Sequence, residues 1–259
     1  MLSRELRELA ETPDRYAPVV EGTSVTRFMD DRVCILQGPT WAGISSVDVP
    51  PHDVEALVGE VRERVPAEKE QAWWLGPSTR PTDLHERLVA LGFREPRDRV
   101  SRLQAVALAD EPAAMPAGVT VRRIETFDDF VAAREVQWDA FETPEDRRAA
   151  GRPRFRVDFE ESMAIGVPVG FLAELDGRPA ATGMSIPSGR GVLLIAGSTA
   201  MWARGHGLYR ALVRARWDDA VERGTPALAV MANPDTSYPI LRRLGFEDVC
   251  GVRRLEDAR

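Results

Sequence analysis

Between residues 192 and 223 a strand, a glycine-rich loop and a long helix follow one another directly. Val192–Thr199 is an apolar, strand-like run. From about Leu208 to Arg223 the apolar residues recur at helical spacing, and the pattern stops at Gly224, where a helix commonly turns left-handed. Arg204-Gly205-His206-Gly207 joins the two. Glycines let a backbone approach an anion closely. The N–H groups of a helix start point at that anion, and the helix dipole favours its charge. Arg204 and Arg210 add cationic donors. A plain glycine-rich turn is the alternative. The placement between a strand and an amphipathic helix favours a phosphate cradle.

The elements around this loop have clear punctuation. Val119–Ile124 reads as a strand and Thr126–Phe141 as a helix, with apolar positions at Phe127, Phe130, Val131, Trp138 and Phe141. Thr143-Pro144-Glu145 reads as a helix cap with Pro at the first helical position, and a further helix lies within 153–165. Val169–Leu175 and Pro179–Ile186 are strands joined by Asp176-Gly177, a hairpin signal. Ala227–Ala232 is a buried-type strand, Tyr238–Leu244 a short helix and Phe246–Leu255 a closing strand. Strands alternate with helices only at the C-terminal end, so the fold class is α/β, of α+β type with a mixed sheet.

The first half repeats part of this order. Val25–Met29, Val33–Gln37 and Trp41–Val49 read as strands, Pro51–Val65 as a helix with Asp53 a candidate cap, and Gln71–Leu75 as a strand. Thr82–Leu91 is a helix and Val100–Leu108 a strand. Arg87-Leu-Val-Ala-Leu-Gly-Phe93 and Ile240-Leu-Arg-Arg-Leu-Gly-Phe246 both end a helix on Leu-Gly-Phe, and each follows a strand and a polar loop at nearly the same spacing. These matches indicate a tandem duplication. The proline-rich stretch 110–117 reads as a linker between a lobe at 1–109 and a domain at 118–259.

Composition narrows the class. The 259 residues are 44% hydrophobic and 29% charged, which is ordinary globular usage. No apolar run approaches the ~20 residues of a membrane span, and the charged, amphipathic N-terminus shows no secretory signal. Net charge is −7, against a nucleic-acid footprint. Cys34 and Cys250 form no CxxC and are expected as reduced thiols of a cytoplasmic protein. His52, His85 and His206 belong to no Cys/His cluster, so no metal site is expected, and His85 is expected at the surface.

Arg204-x-x-Gly207 and the Leu-Gly-Phe246 turn resemble motifs of the GNAT superfamily of acyl-CoA-dependent N-acyltransferases, and the resemblance covers about 117–259. Tyr209 departs from it, standing where the family has Gly or Ala and where it would crowd the pyrophosphate. The resemblance implies a complete acyl-CoA-binding fold in the C-terminal lobe and acetyl-CoA as co-substrate. Pantetheine would lie where the strands at 192–199 and 227–232 splay, pairing near Thr199, Ala200 and Met201. Arg204, Gly205, His206, Gly207, Leu208, Tyr209 and Arg210 would hold the pyrophosphate, and Asn233 would contact the cofactor. The N-terminal lobe has Val49-Pro50-Pro51 where the cradle would be. Prolines remove N–H donors, so that lobe is expected to be degenerate, without bound CoA.

The implied reaction is attack of a neutral amine on the acetyl thioester. It needs a base, oxyanion donors and an acid for the thiolate. The family's tyrosine acid would fall at Leu241, so Tyr238, one turn earlier, is the candidate acid and Ser237 a weaker one. No carboxylate lies within 192–199. Ser198 and Thr199 could order a water, and Glu142 and Asp139 are candidate bases or amine-recognition groups. Trp138, Phe141 and Trp202 are candidates for an acceptor pocket, with core packing the alternative. The expected partner is a small-molecule or peptide amine, with no nucleic acid and no membrane, and a homodimer is allowed for. The alternatives are a non-catalytic acyl-CoA-binding protein and an acyltransferase with a hydroxyl acceptor.

Overall fold

The computed structural model describes residues 1–96 and 100–258. In chain order the elements are α1 (Arg4–Glu11), β1 (Thr26–Met29), β2 (Cys34–Gln37), β3 (Trp41–Ser45), α2 (Val54–Arg64), β4 (Glu70–Leu75), α3 (Leu84–Ala90), β5 (Arg102–Leu108), β6 (Val119–Arg123), α4 (Phe127–Ala140), α5 (Glu145–Gly151), α6 (Phe155–Ile165), β7 (Val169–Leu175), β8 (Arg178–Ser188), β9 (Gly191–Thr199), α7 (Leu208–Glu222), β10 (Leu228–Ala232), α8 (Ser237–Arg243) and β11 (Glu247–Glu256). They form two compact units, one of Met1 with 108–230 and one of 2–107 with 231–259. The linear division expected at 110–117 differs from this in the placing of 231–259.

The first unit is a mixed sheet in the order β6-β7-β8-β9-β10, antiparallel except for the parallel pair β9/β10. The β7–β8 hairpin turns on Asp176 and Gly177 at φ 50° and 78°. Two left-handed turn residues match the strand twist, as the sequence predicts. Leu208, Ala211 and Leu212 of α7 pack with Val119, Phe171, Ala173 and Ala181 of the sheet. Asp219 of the same helix is buried and bridges Arg223, at 2.8 Å, and Arg123.

Helix α4 starts at Thr126, whose hydroxyl accepts the Asp129 N–H at 3.1 Å. Its Phe130 meets Phe155 and Phe159 of α6 at 5.9 and 5.8 Å between ring centres. Trp138 is buried and lies 5.0 Å from the Phe155 ring, so its role is packing. The expected Thr143 cap is not made. Helix α5 begins at Glu145 with Pro144 before it and no side-chain cap.

The second unit is a mixed sheet in the order β1-β2-β3-β4-β11-β5, parallel only between β3 and β4. Strand β11 lies between β4 and β5, which is why the C-terminal residues belong here. Its Leu255 pairs with Trp73 and joins a core that includes Ile44, Leu57, Val61 and Leu88. Trp73 is fully buried and meets Phe93 edge-on at 5.4 Å.

The two Leu-Gly-Phe turns are the same object. The Phe93 N–H donates to Leu88 O at 3.0 Å and the Phe246 N–H to Leu241 O at 3.2 Å. Gly92 and Gly245 share a φ of 94°, and both phenylalanines are buried. This is a left-handed helix end closed by a bond to the carbonyl five residues back.

Three expectations for this unit are corrected. The strand from Trp41 stops at Ser45 instead of Val49, because Ser46 takes φ 55° and turns the chain. Asp53 does not cap α2; its backbone is already helical, at the end of a 3₁₀ turn over Pro51–Asp53. His85 is half-buried, with its ring nitrogens 3.8 and 3.9 Å from Glu86 and Glu95.

Asp14 follows α1 in a 3₁₀ turn held by Arg27, whose Nη1 donates to the carbonyls of Asp14, Arg15 and Ala17. The Asp14 carboxyl lies against β3, where a Cβ on Gly43 would stand 2.7 Å from it. Burial raises its pKa to about 6, against the neighbouring Ser45 hydroxyl and the Arg27 charge. Cys34 and Cys250 are free thiols, pushed by burial to about 11 and about 12. Among the described residues no helix is long and apolar enough to cross a membrane, and no cluster of His, Cys, Asp or Glu could hold a metal ion.

Candidate functional site

The loop between β9 and α7 begins where β9 ends. Ala200 N–H donates to Ala180 O at 2.9 Å, so that donor is already taken. Met201–Ala203 forms one 3₁₀ turn, with Met201 and Trp202 exposed. The chain then turns through Gly205 at φ 86° and Gly207 at φ 79°. Left-handed residues alternating with a residue of ordinary φ turn successive N–H groups to one side, which is the backbone geometry of an anion nest. The first helical bond runs from Ala211 N–H to Gly207 O at 3.0 Å. The N–H groups of Leu208, Tyr209 and Arg210 thus belong to the first turn, which has no acceptor within the helix.

Gly207 is required twice. Its conformation favours glycine, and a Cβ there would stand 3.1 Å from Pro116. Gly205 and His206 are exposed and Leu208 is core. Arg204 donates to Ala140 O at 3.4 Å, which places the loop beside the end of α4. Glu142 is two residues further on, exposed, at φ 49°. The Nε of Arg210 is buried beside Gly207 with no hydrogen-bond partner among the described residues.

Strand β9 departs from regular pairing in two ways. It pairs with β10 through Val192 and Leu193 and then runs on to Thr199. The parting that the resemblance implies is therefore present in the pairing of β9. In the second unit the equivalent pair β3/β4 stays in register from Trp41↔Glu70 to Ile44↔Trp73, and α2 is preceded by prolines instead of a glycine loop. Strand β9 also carries a bulge. Two residues, Ala196 and Gly197, oppose the single Gly183 of β8; Ala196 is at φ 50°, and both bulge residues are exposed.

Tyr209 points at this bulge. Its ring would lie 3.1 Å from a Cβ on Gly197, so the side chain is directed under β9. There it meets Arg216, two turns along α7, whose guanidinium would lie 3.0 Å from a Cβ on Gly183. Burial raises the Tyr209 pKa, opposed by Arg216, and lowers that of Arg216. Sequence reading missed Arg216. The available signal was two glycines inside neighbouring strands, each marking a close approach.

The remaining expected residues form a local arrangement in the second unit. Asn233 Oδ1 accepts the Asp235 N–H at 2.9 Å, and its carbonyl accepts Tyr238 N–H at 3.0 Å. Ser237 Oγ accepts the Asn233 N–H at 3.0 Å. Tyr238 hydrogen-bonds to the Asp248 carboxylate, which raises its pKa. Leu241 is fully buried.

No protein-family model matches the chain, and no curated protein matches it. Solved structures do. A GCN5-related N-acetyltransferase from Kribbella flavida superposes with a TM-score of 0.68 at 20% identity, covering 91% of this chain and 90% of that one. A GCN5-related N-acetyltransferase from Sphaerobacter thermophilus gives 0.57 at 16% identity, covering 91% and 82%. A tandem GNAT protein from the clavulanic acid biosynthesis pathway gives 0.59 at 15% identity, covering 97% and 86%. The chain has the fold of the GCN5-related N-acetyltransferases.

Proposed function

We propose that this chain is an acyl-CoA-dependent N-acyltransferase that uses acetyl-CoA as co-substrate and acetylates an amine of a small molecule or peptide. The observation that carries the reading is the pairing of a left-handed glycine nest at the start of α7 with a strand β9 that has parted from β10. The residues fit the ligand. The first-turn N–H groups of α7, with Gly205, His206 and Gly207, would hold the pyrophosphate, and Arg204 and Arg210 would add charge. The edge of β9 beyond its last pair with β10, as far as Thr199, would take pantetheine as an added strand. When bound, acetyl-CoA supplies an acyl group on a good leaving group. The protein's part is to orient the thioester and acceptor and to manage their protons. Ser198 Oγ, buried on β9 without a partner among the described residues, is suited to fix a water for the amine proton.

A second reading, a non-catalytic acyl-CoA-binding protein on this scaffold, is favoured by buried Leu241 at the usual tyrosine position and by the lack of a carboxylate on β9. Calorimetric titration with acetyl-CoA and CoA tests the shared part. Micromolar binding to the native chain, lost in Gly207→Glu by bulk and charge, is expected; equal binding by both chains refutes the loop assignment. Thiol release above background with a panel of amines excludes the binding-only reading.

A further inference from the structure

We propose that Tyr209 donates the proton to the departing thiolate and that Arg216 positions it, an assignment that rests on the acyl-transfer reading above. Glycine occupies both places that would otherwise block this pair. Gly197, in the β9 bulge, lies over the phenol ring, and Gly183, facing it from β8, lies over the guanidinium. The bulge is the exposed stretch of β9 beyond its last pair with β10. A pantetheine chain that started at the α7 loop and ran back along Thr199 would bring its thioester to Ala196–Gly197, against the half-buried Tyr209.

Arg216 is 1% exposed. Its Nε donates to Leu212 O at 2.9 Å and its Nη1 to Met184 O at 3.5 Å. Its Nη2 has no hydrogen-bond acceptor, and no carboxylate pairs with it, among the described residues. The ionisable group that it faces is the Tyr209 phenol. A buried cation without a counter-anion is costly, and a phenolate beside it removes that cost. As the acceptor nitrogen bonds to the acyl carbon and the C–S bond breaks with its electron pair on sulfur, Tyr209 gives its proton to that sulfur. The phenolate left beside Arg216 then regains a proton from solvent, which takes the one lost by the acceptor nitrogen. Tyr238, by contrast, gives its hydroxyl to Asp248.

The test needs no turnover in its first part. Affinities for CoA and for desulfo-CoA, which lacks the sulfur, are measured by calorimetry on the full chain. The native protein is expected to favour CoA by about fivefold, the size of one hydrogen bond. In Tyr209→Phe that preference is expected to fall to near unity, with desulfo-CoA affinity unchanged. Thiol release from acetyl-CoA to an amine should fall by about 100-fold in the same variant. Arg216→Lys should retain most of the sulfur preference, and Arg216→Met should lose it. An equal preference in the native chain and Tyr209→Phe, or undiminished thiol release, overturns the assignment. So does a native chain that binds CoA but transfers to no amine, and then the cofactor site still stands. A native chain that binds neither ligand overturns the acyl-transfer reading as well.

Discussion

Replacing Asp14 by asparagine should stabilise the protein at neutral pH and leave it almost unchanged near pH 4. The carboxyl is pressed against Gly43 of β3, and burial lifts its pKa from 3.8 to about 6. A raised carboxyl pKa means that the folded chain holds a proton that the unfolded chain has lost. Stability from this group is therefore full below pH 3.8 and declines until the pH passes 6. The slope is at most about 1.4 kcal/mol per pH unit, and the total over that window is about 3 kcal/mol. The asparagine side chain would match the shape and carry no charge. The assay is urea unfolding of both chains from pH 4 to pH 8, with a carbon-13 titration of the Asp14 carboxyl. The difference in unfolding free energy should grow from near zero to about 3 kcal/mol and then level off. A flat difference, or a carboxyl that titrates near 4, would refute the reasoning.

Other substitutions probe the frame around the site. Asp219→Asn takes the buried carboxylate from Arg123 and Arg223, which solvent still reaches, with Arg123 still paired to Glu222, and should cost about 1 kcal/mol, read by denaturant melts at neutral pH. Thr126→Ala removes the cap of α4 and should cost about 1 kcal/mol by the same measurement. Trp73→Ala empties a fully buried site against Phe93 and should cost about 3–5 kcal/mol, with faster amide exchange in β4.

What the sequence made legible was local. The Asp176-Gly177 hairpin, the α7 helix with its glycine loop, and the two Leu-Gly-Phe turns all follow from residues within a turn of one another, and each stands as expected. So does the early parting of β9 and β10, which the resemblance implied. The chain's non-local choices were not legible. Nothing in Phe246–Leu255 says that the strand there joins β4 and β5, because any alternating strand satisfies either sheet. For Tyr209 the sequence offered crowding of the pyrophosphate or a backbone N–H for it, and neither reading places the ring, which lies beneath Gly197. Arg216 gave no sign of its own, since helical spacing alone cannot say which arginine is buried.

The position of β11 has a consequence for the order in which this protein can be made. Strand β4 has β3 on one side and β11 on the other, and β5 bonds to β11 along most of its length. While the chain is on the ribosome, the first hundred residues have left the tunnel with two strand edges still open. An N-terminal domain ordinarily folds as it emerges, but here the matching edges arrive only with residues 247–256. Until those residues have emerged, the edges of β4 and β5 stay open to one another and to neighbouring chains. Cutting the gene between β5 and β6 would leave those strand edges open permanently, whereas a circular permutant that starts at β6 would have β11 made before β4 and β5.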